Sequence, residues 1–418
     1  MTLLRTRAAV TPLRCSFDAE ILPSVDALIA VERPEEPMHC LRPAAIADAA
    51  AGFVAGFPGQ TLYAVKCNPE PAVLRAVWDG GVRHFDCASA AEVALVRTMF
   101  PEAGIHFMHP VKARGAIRAA WGEHGVRDFV LDSADELAKI LAETGVEAGT
   151  GAAEGLGLFI RLALPKGTAM HDLSGKFGAS PEDAAALLRA ARPSAGRLGL
   201  CFHVGSQMLD PLAWRQALAL AGEVIAAAGV AIEVIDVGGG FPVAYPGIEP
   251  PPLGAFFAEI EASFEALALP GAILWAEPGR ALVAAGGSVV VQVQARRGQE
   301  LFVNDGVYGA LSDAGAPGFT FPARLIRLDP PPPAAAEQPF VLFGPTCDSA
   351  DRMAGPFWLP EDVAEGDWIE LGQLGAYGAC LRTAFNGFDR ARLVEVRDRP
   401  MLAAPDQPLA QPGLALAA

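Results

Sequence analysis

Between residues 40 and 280, short apolar runs alternate with longer stretches of helical periodicity. The runs are LYAVK (62–66), HFDCA (84–88), IHFMHP (105–110), DFVLD (128–132), LFIRLAL (158–164), GLCFHVG (199–205), EVIDVGGG (233–240) and ILWAEPGR (273–280). Helix-start signals lie between them. Ser89 with Glu92 and Ser133 with Glu136 have capping-box spacing, and Ser180-Pro181 puts proline at a first helical position. DPLAWRQALALAGEVIAAAG and LGAFFAEIEASFEAL read as two further helices. Strands with almost no polar interruption, separated by helices, predict a parallel sheet covered on both faces. Eight such units are the count that closes a (β/α)8, TIM-like barrel; an open doubly wound sheet has the same alternation.

After Arg280 the texture changes. GGSVVVQVQARRG, QELFVNDGVYGAL, PARLIRLD, QPFVLFGPTC, GDWIELGQLGAYG and ARLVEVR are β-type runs without helices between them, which predicts a C-terminal all-β domain, a β-sandwich or β-barrel. The expected division is an N-terminal segment (1–37) packing on the β-domain, a barrel (38–280), the β-domain (281–400) and a mobile Ala/Pro/Gln tail (401–418).

Composition narrows the partners. The chain has 418 residues, enough for a large core, and with 52 % hydrophobic and 19 % charged residues it is globular. A net charge of −16 argues against DNA or another polyanion, whose binding needs clustered Lys and Arg. The seven cysteines are scattered without a CxxC pair, as expected of reduced thiols in a cytoplasmic protein with no metal site. No stretch reaches membrane-spanning length without charge or proline, so no membrane partner is expected.

The chemistry-bearing residues share a position. Lys66, Asp86, Arg161, His203, Gly238 to Gly240, and Glu277 to Arg280 all fall at or just past the C-terminal ends of predicted strands. In a (β/α)8 barrel that rim is where catalytic groups converge. Each alone has an ordinary explanation: strand-end cations snorkel, single histidines are satisfied in cores, and GGG can be merely a turn. Their coincidence at one rim is harder to explain that way. DVGGGFP exposes successive N–H groups with no side chain in the way, which suits a phosphate, and Arg280 adds a fixed charge. Neither GxxxxGK[ST] nor GxGxxG occurs, which removes the common nucleotide motifs. Glu277 is costly beside a phosphate unless it addresses a basic part of the same ligand. A phosphorylated aromatic with a basic nitrogen, met by an imine-forming lysine, describes pyridoxal 5′-phosphate (PLP).

YAVKCN, FDCASAAE, HVGSQ, DVGGGFP, EPGR, NDGVYG, GPTCDSAD, GQLGAYG and FNGF follow one another in this order between about residues 38 and 398. In this the chain resembles the fold-type III PLP-dependent basic amino acid decarboxylases, the alanine racemase-like barrels that include eukaryotic-type ornithine decarboxylase. The resemblance implies that Lys66 is the lysine linked to PLP, that Glu277 pairs with the pyridine nitrogen, and that His203 stacks on the ring. It implies that Ser206, Gly239, Gly240, Gly279, Arg280 and Tyr377 hold the phosphate, with Asp86, Glu92 and Arg161 as further polar groups around the cofactor. It further implies a head-to-tail homodimer with shared active sites, to which Cys347 brings a proton for Cα and Asp348 a carboxylate for the substrate's distal ammonium. Phe385, in FNGF, is expected beside the substrate.

One segment departs from the family pattern. The family's YDH-like element after NDGVYG is missing, and Asp313 is the only acid in GALSDAGAPGFTFPARL. The expected reaction is decarboxylation of L-ornithine to putrescine, or of L-lysine to cadaverine, in polyamine biosynthesis. Arginine, carboxynorspermidine and diaminopimelate are alternative substrates, and Asp348 would repel the distal carboxylate of the last. A racemase lacks the GPTCDSAD segment. A catalytically silent regulatory homologue is a further alternative, against which the retention of Lys66, Glu277, Arg280 and Cys347 argues. PKGTAMHDLSGKFG (165–178) resembles the family's mobile active-site loop.

Overall fold

The apolar runs pair as the alternation predicts. A computed structural model describes residues 22–147, 155–170 and 175–402. Residues 1–21 of the N-terminal segment, 171–174 of the expected loop and 403–418 of the tail lie outside the described residues. The described chain falls into two units, one of residues 43–285 with 375–380, the other of residues 22–42, 286–374 and 381–402.

In chain order the strands begin with β1 (Met38–Leu41). There follow β2 (Gln60–Ala64), β3 (His84–Cys87), β4 (Gly104–Phe107), β5 (Asp128–Leu131), β6 (Gly157–Arg161), β7 (Arg197–Cys201), β8 (Val234–Asp236) and β9 (Ile273–Ala276). These eight close a parallel barrel in sequence order, with β9 paired back to β2. Leu62, Met108, Val130, Phe159, Cys201, Val234 and Trp275 form one buried cluster, consistent with the layered packing of barrel interiors. The helices between the strands start where the sequence signals put them. Ser89, Ser133 and Ser180 each accept a backbone N–H three residues on.

The second unit is an eight-stranded mixed sheet. It contains β10 (Gly287–Arg297), β11 (Glu300–Val303), β12 (Ala323–Ile326), β13 (Glu337–Phe343), β14 (Arg352–Pro360), β15 (Trp368–Leu371) and β16 (Arg392–Glu395). The long β10 carries three ladders, one of them to β1. Its first half pairs with β15 and its second half with β11, after a register shift between Val293 and Ala295. The eighth strand is β1, which the sequence reading placed in the barrel. It pairs antiparallel with β10 and parallel with β16, because a four-residue apolar run fits a buried strand in either unit. The helix Val25–Glu32 joins the same core through Val25, Leu28 and Ile29. β14 was not anticipated, since Gly355 and two prolines interrupt its pattern.

Candidate active site

A cavity of about 490 Å³ opens at the C-terminal ends of the barrel strands. Lys66, Arg161, His203, Gly239, Gly240, Glu277, Gly279 and Arg280, expected at the rim, line it together with Ser206 and Tyr377, expected to hold the phosphate. Lys66 is not the last residue of its strand but sits in the single turn Val65–Cys67 that follows β2. That turn aims its ammonium at Asp86, the third residue of β3, with Nζ and Oδ2 2.5 Å apart. Asp86 is buried, whereas the Lys66 side chain is 43 % open, and the opening is the cavity. Burial disfavours the Lys66 ammonium, but the charges of Asp86 and Glu277 outweigh it and hold the group above the usual lysine range.

Glu277 lies just past β9, 5 % exposed. Desolvation first, then the neighbouring Asp236 and Asp86 charges, push its pKa well up against the pull of Lys66 and Arg161. His203 is held neutral by burial and by the charges of Arg161 and Lys66. Its Nδ1 accepts the Gly205 N–H at 2.9 Å, which leaves the ring proton on Nε2.

The glycines at the rim have no room for a side chain. A Cβ on Gly239 would stand 2.7 Å from the Glu277 carbonyl oxygen, and one on Gly240 2.4 Å from that of Gly205. Gly240 also has a φ of 102°, which favours glycine. Arg280 donates to the Tyr245 hydroxyl at 2.7 Å, and its guanidinium lies 4.9 Å from the centre of the Tyr377 ring. Tyr377 is fixed through its backbone N–H, which donates to the Cys67 carbonyl at 2.9 Å. Glu92 does not line the cavity. It accepts the N–H of Ala88, which does, at 2.6 Å, and burial raises its pKa.

Cys347, Asp348, Asp313 and Phe385 belong to the β-sheet unit and do not line this cavity. Cys347 and Asp348 border a separate hollow of about 500 Å³ with Phe302, Phe343 and Thr346. Asp348 accepts from the Tyr308 hydroxyl and from the Ala350 N–H, bonds that hold its carboxyl below the usual range. Cys347 is exposed, and its N–H donates to Asn386 Oδ1 at 3.1 Å. Phe385 packs its ring 4.9 Å from that of Tyr308. Asp313 sits in the short turn Ser312–Ala314.

His109 and Pro110, just beyond β4, line the cavity without having been singled out in the sequence. Lys176 and Phe177, of the expected active-site loop 165–178, line it too. The His109 ring meets Phe177 edge-on at 5.2 Å. His109 occupies the same strand-end position as its neighbours, so the signal was present. Lys112, three residues on, is buried and donates to the carbonyls of His109 and Val130 and to Glu136. Burial lowers its pKa to about 8.

This barrel, with a lysine and a paired acid at one strand end and a glycine cradle beside an arginine at others, defines a class of PLP enzymes. Residues 44–284 match the family model described as pyridoxal-dependent decarboxylase, pyridoxal binding domain. The lysine/ornithine decarboxylase of Selenomonas ruminantium is 31 % identical, over 82 % of this chain and 84 % of that protein. The structure of the lysine/ornithine decarboxylase of Vibrio vulnificus complexed with putrescine has a TM-score of 0.74 and 31 % identity, covering 90 % of this chain and 99 % of that one. The arginine decarboxylase of Paramecium bursaria Chlorella virus bound to agmatine has a TM-score of 0.76 and 28 % identity, covering 88 % and 98 %. The chain belongs to the pyridoxal-dependent decarboxylases. It is a PLP-dependent carboxy-lyase.

The residues present fit that cofactor. The cradle at Gly239 and Gly240 would be filled by any Cβ, and Asp86 Oδ1 and Glu277 Oε1 are buried without a donor. Free acceptors beside a lysine and a backbone cradle beside an arginine are what a phosphorylated pyridine requires.

Proposed function

We propose that this enzyme decarboxylates a basic L-amino acid in polyamine biosynthesis, L-ornithine to putrescine in preference to L-lysine to cadaverine. The observation that carries the reading is that Lys66, held by buried Asp86, meets Glu277 in one cavity. The names of the Selenomonas and Vibrio relatives support the substrate class.

Bound PLP supplies a sink for the electrons that CO2 leaves at Cα. The chain supplies the rest. Lys66 would be the attachment point, with Asp86 holding its ammonium in place. Glu277 would accept the ring N–H and His203 would cover a ring face. Ser206, Gly239, Gly240, Gly279, Arg280 and Tyr377 hold the phosphate, while Arg161 balances the surrounding acids. We assign the protonation of Cα to the Cys347 thiol and the distal ammonium to Asp348, with Asp313 as a second amine ligand and Phe385 beside the substrate chain. Cys347 and Asp348 act in the partner's site of a head-to-tail homodimer with shared active sites.

We place the protein in the cytoplasm. None of the described cysteines is in a disulfide, and no described helix is long and apolar enough to cross a membrane.

The test is CO2 release from purified protein given ornithine, lysine, arginine, carboxynorspermidine and meso-diaminopimelate. The expected order has ornithine first and lysine behind by about 10- to 200-fold, the range one methylene allows. No release from ornithine or lysine rejects the reading, and faster release from arginine replaces the substrate. Mixing Lys66→Ala with Cys347→Ala protein tests the shared site. Each variant is inactive alone, and heterodimers regain partial activity only if one subunit completes the other's cavity.

A further inference from the structure

Glu277 has a second acid against it. Asp236 ends β8, the neighbour of β9, which places its carboxyl group against that of Glu277. Asp236 is fully buried and Glu277 nearly so. One peptide ties both: Asp236 Oδ1 accepts the Gly238 N–H, and the Glu277 N–H donates to the Gly238 carbonyl, each at 2.8 Å. Asp236 Oδ2 and Glu277 Oε1 receive no donor from the other described residues. A carboxyl–carboxyl hydrogen bond needs one proton, and two buried carboxylates in contact do not both ionise.

The surrounding charges agree. Asp86 from β3 repels the pair, while Lys66 from the turn after β2 and Arg161 from β6 attract it. His203, beyond β7, is neutral. With one proton on the pair, Asp86 and the pair carry two negative charges against the two positive charges of Lys66 and Arg161.

We propose that Asp236 and Glu277 share a single proton, and that Asp236 Oδ2 takes it whenever Glu277 accepts an N–H from the pyridine ring. Asp236 is thus a positioning residue that sets the charge of Glu277. Without the ligand the proton sits on Glu277 and is donated to Asp236. With it, the proton crosses that one hydrogen bond and Asp236 becomes the donor. Neither the charge nor the proton count of the pair changes. This deepens the assignment of Glu277 above and rests on it.

An asparagine at position 236 can do both jobs, its oxygen accepting the Gly238 N–H and its amide donating to Glu277. An alanine can do neither. The experiment compares the holoenzymes of wild type, Asp236→Asn and Asp236→Ala by infrared absorption in the protonated-carboxyl region at neutral pH, and titrates PLP affinity. Wild type is expected to have a buried protonated-carboxyl band that Asp236→Asn lacks. Asp236→Asn is expected to bind PLP at least about tenfold more tightly than Asp236→Ala, the equivalent of one charge-assisted hydrogen bond. A wild-type spectrum without the band, or equal affinities in the two variants, overturns the proposal. If Asp236→Ala does not fold, the band in wild type against Asp236→Asn decides alone. The parent assignment fails separately, if Glu277→Gln keeps ordinary PLP affinity and turnover.

Discussion

The barrel carries two clusters of buried charge, one at each end, and they are built on opposite principles. Where β3, β5 and β7 begin, His84 Nδ1 lies 3.1 Å from Nε2 of His106, the third residue of β4, and His106 Nδ1 lies 2.8 Å from Asp128 Oδ2. Arg197 forks onto both Asp128 oxygens at 2.9 and 3.1 Å. Burial opposes the Asp128 carboxylate, but His106 and Arg197 outweigh it and hold its pKa below the usual range. Gly104 and Gly157 make the room, since a Cβ on either would stand about 2 Å from His84 Nδ1 or Asp128 Oδ1. Both Asp128 oxygens are thus met by Arg197, and Oδ2 by His106 as well.

At the C-terminal ends, by contrast, Asp86, Asp236 and Glu277 each keep a buried oxygen without a donor, and a cavity opens beside them. A charge cluster that completes itself contributes stability. One left incomplete next to a cavity is prepared for a ligand, at a cost in stability.

Substitutions at the two ends should therefore separate activity from stability. The largest effect is expected at Lys66. Lys66→Ala should lower kcat/KM by about 10⁴-fold through loss of the covalent link, with an unchanged melting temperature. CO2 release, borohydride trapping of PLP and calorimetry check this, and ordinary turnover would remove Lys66 from its role.

Glu277→Ala comes next. A charge-assisted partner contributes about 2–3 kcal/mol, so kcat should fall about 30- to 150-fold while PLP still binds. Turnover equal to wild type would show that the acid has no part in the reaction.

At the other end the sign of the comparison reverses. Asp128→Ala should destabilise the fold by about 2 kcal/mol, discounted because Arg197 is partly exposed, with kcat/KM within about twofold of wild type. Denaturant unfolding and steady-state kinetics measure the two arms. A large loss of activity at unchanged stability would break the contrast.

The smallest effect is a pH dependence. Burial, with His106 nearby, lowers the His84 pKa from 6.5 to about 4. The unfolded chain thus binds a proton that the folded one refuses between those values. The stability contribution is fully present above pH 6.5 and is lost as pH falls through about 4, with up to about one proton taken up on unfolding. Burial places His39 lower still, at about 3. A His84→Asn variant should show a shallower slope in this window, by unfolding at a series of pH values. An unchanged slope would assign the dependence elsewhere.

The two ends were not equally legible. Lys66, Asp86, Arg161, His203 and Glu277 stand out because each interrupts or ends an apolar run. His84, Asp128 and Arg197 begin their runs, where a polar residue looks like the end of a loop, and so their mutual pairing left no trace in the pattern. His109 occupies a rim position too, but within IHFMHP nothing in the apolar pattern sets it apart.

What the linear chain determined by itself is whatever depends on neighbours along it. Strands buried on both faces must be apolar runs, helices must start at caps, and residues just past eight successive strands must share one rim if the sheet closes. What depends on partners distant in sequence was decided only in three dimensions. β1 joins β10 and β16 because an apolar strand pairs wherever an edge and a core receive it. Asp236 lies in the same DVGGGFP run that marks the cradle, yet its role depends on Glu277, 41 residues later. The sequence marks both as acids. Only their contact in a buried site, where two negative charges cannot stand together, makes them a pair with a single proton.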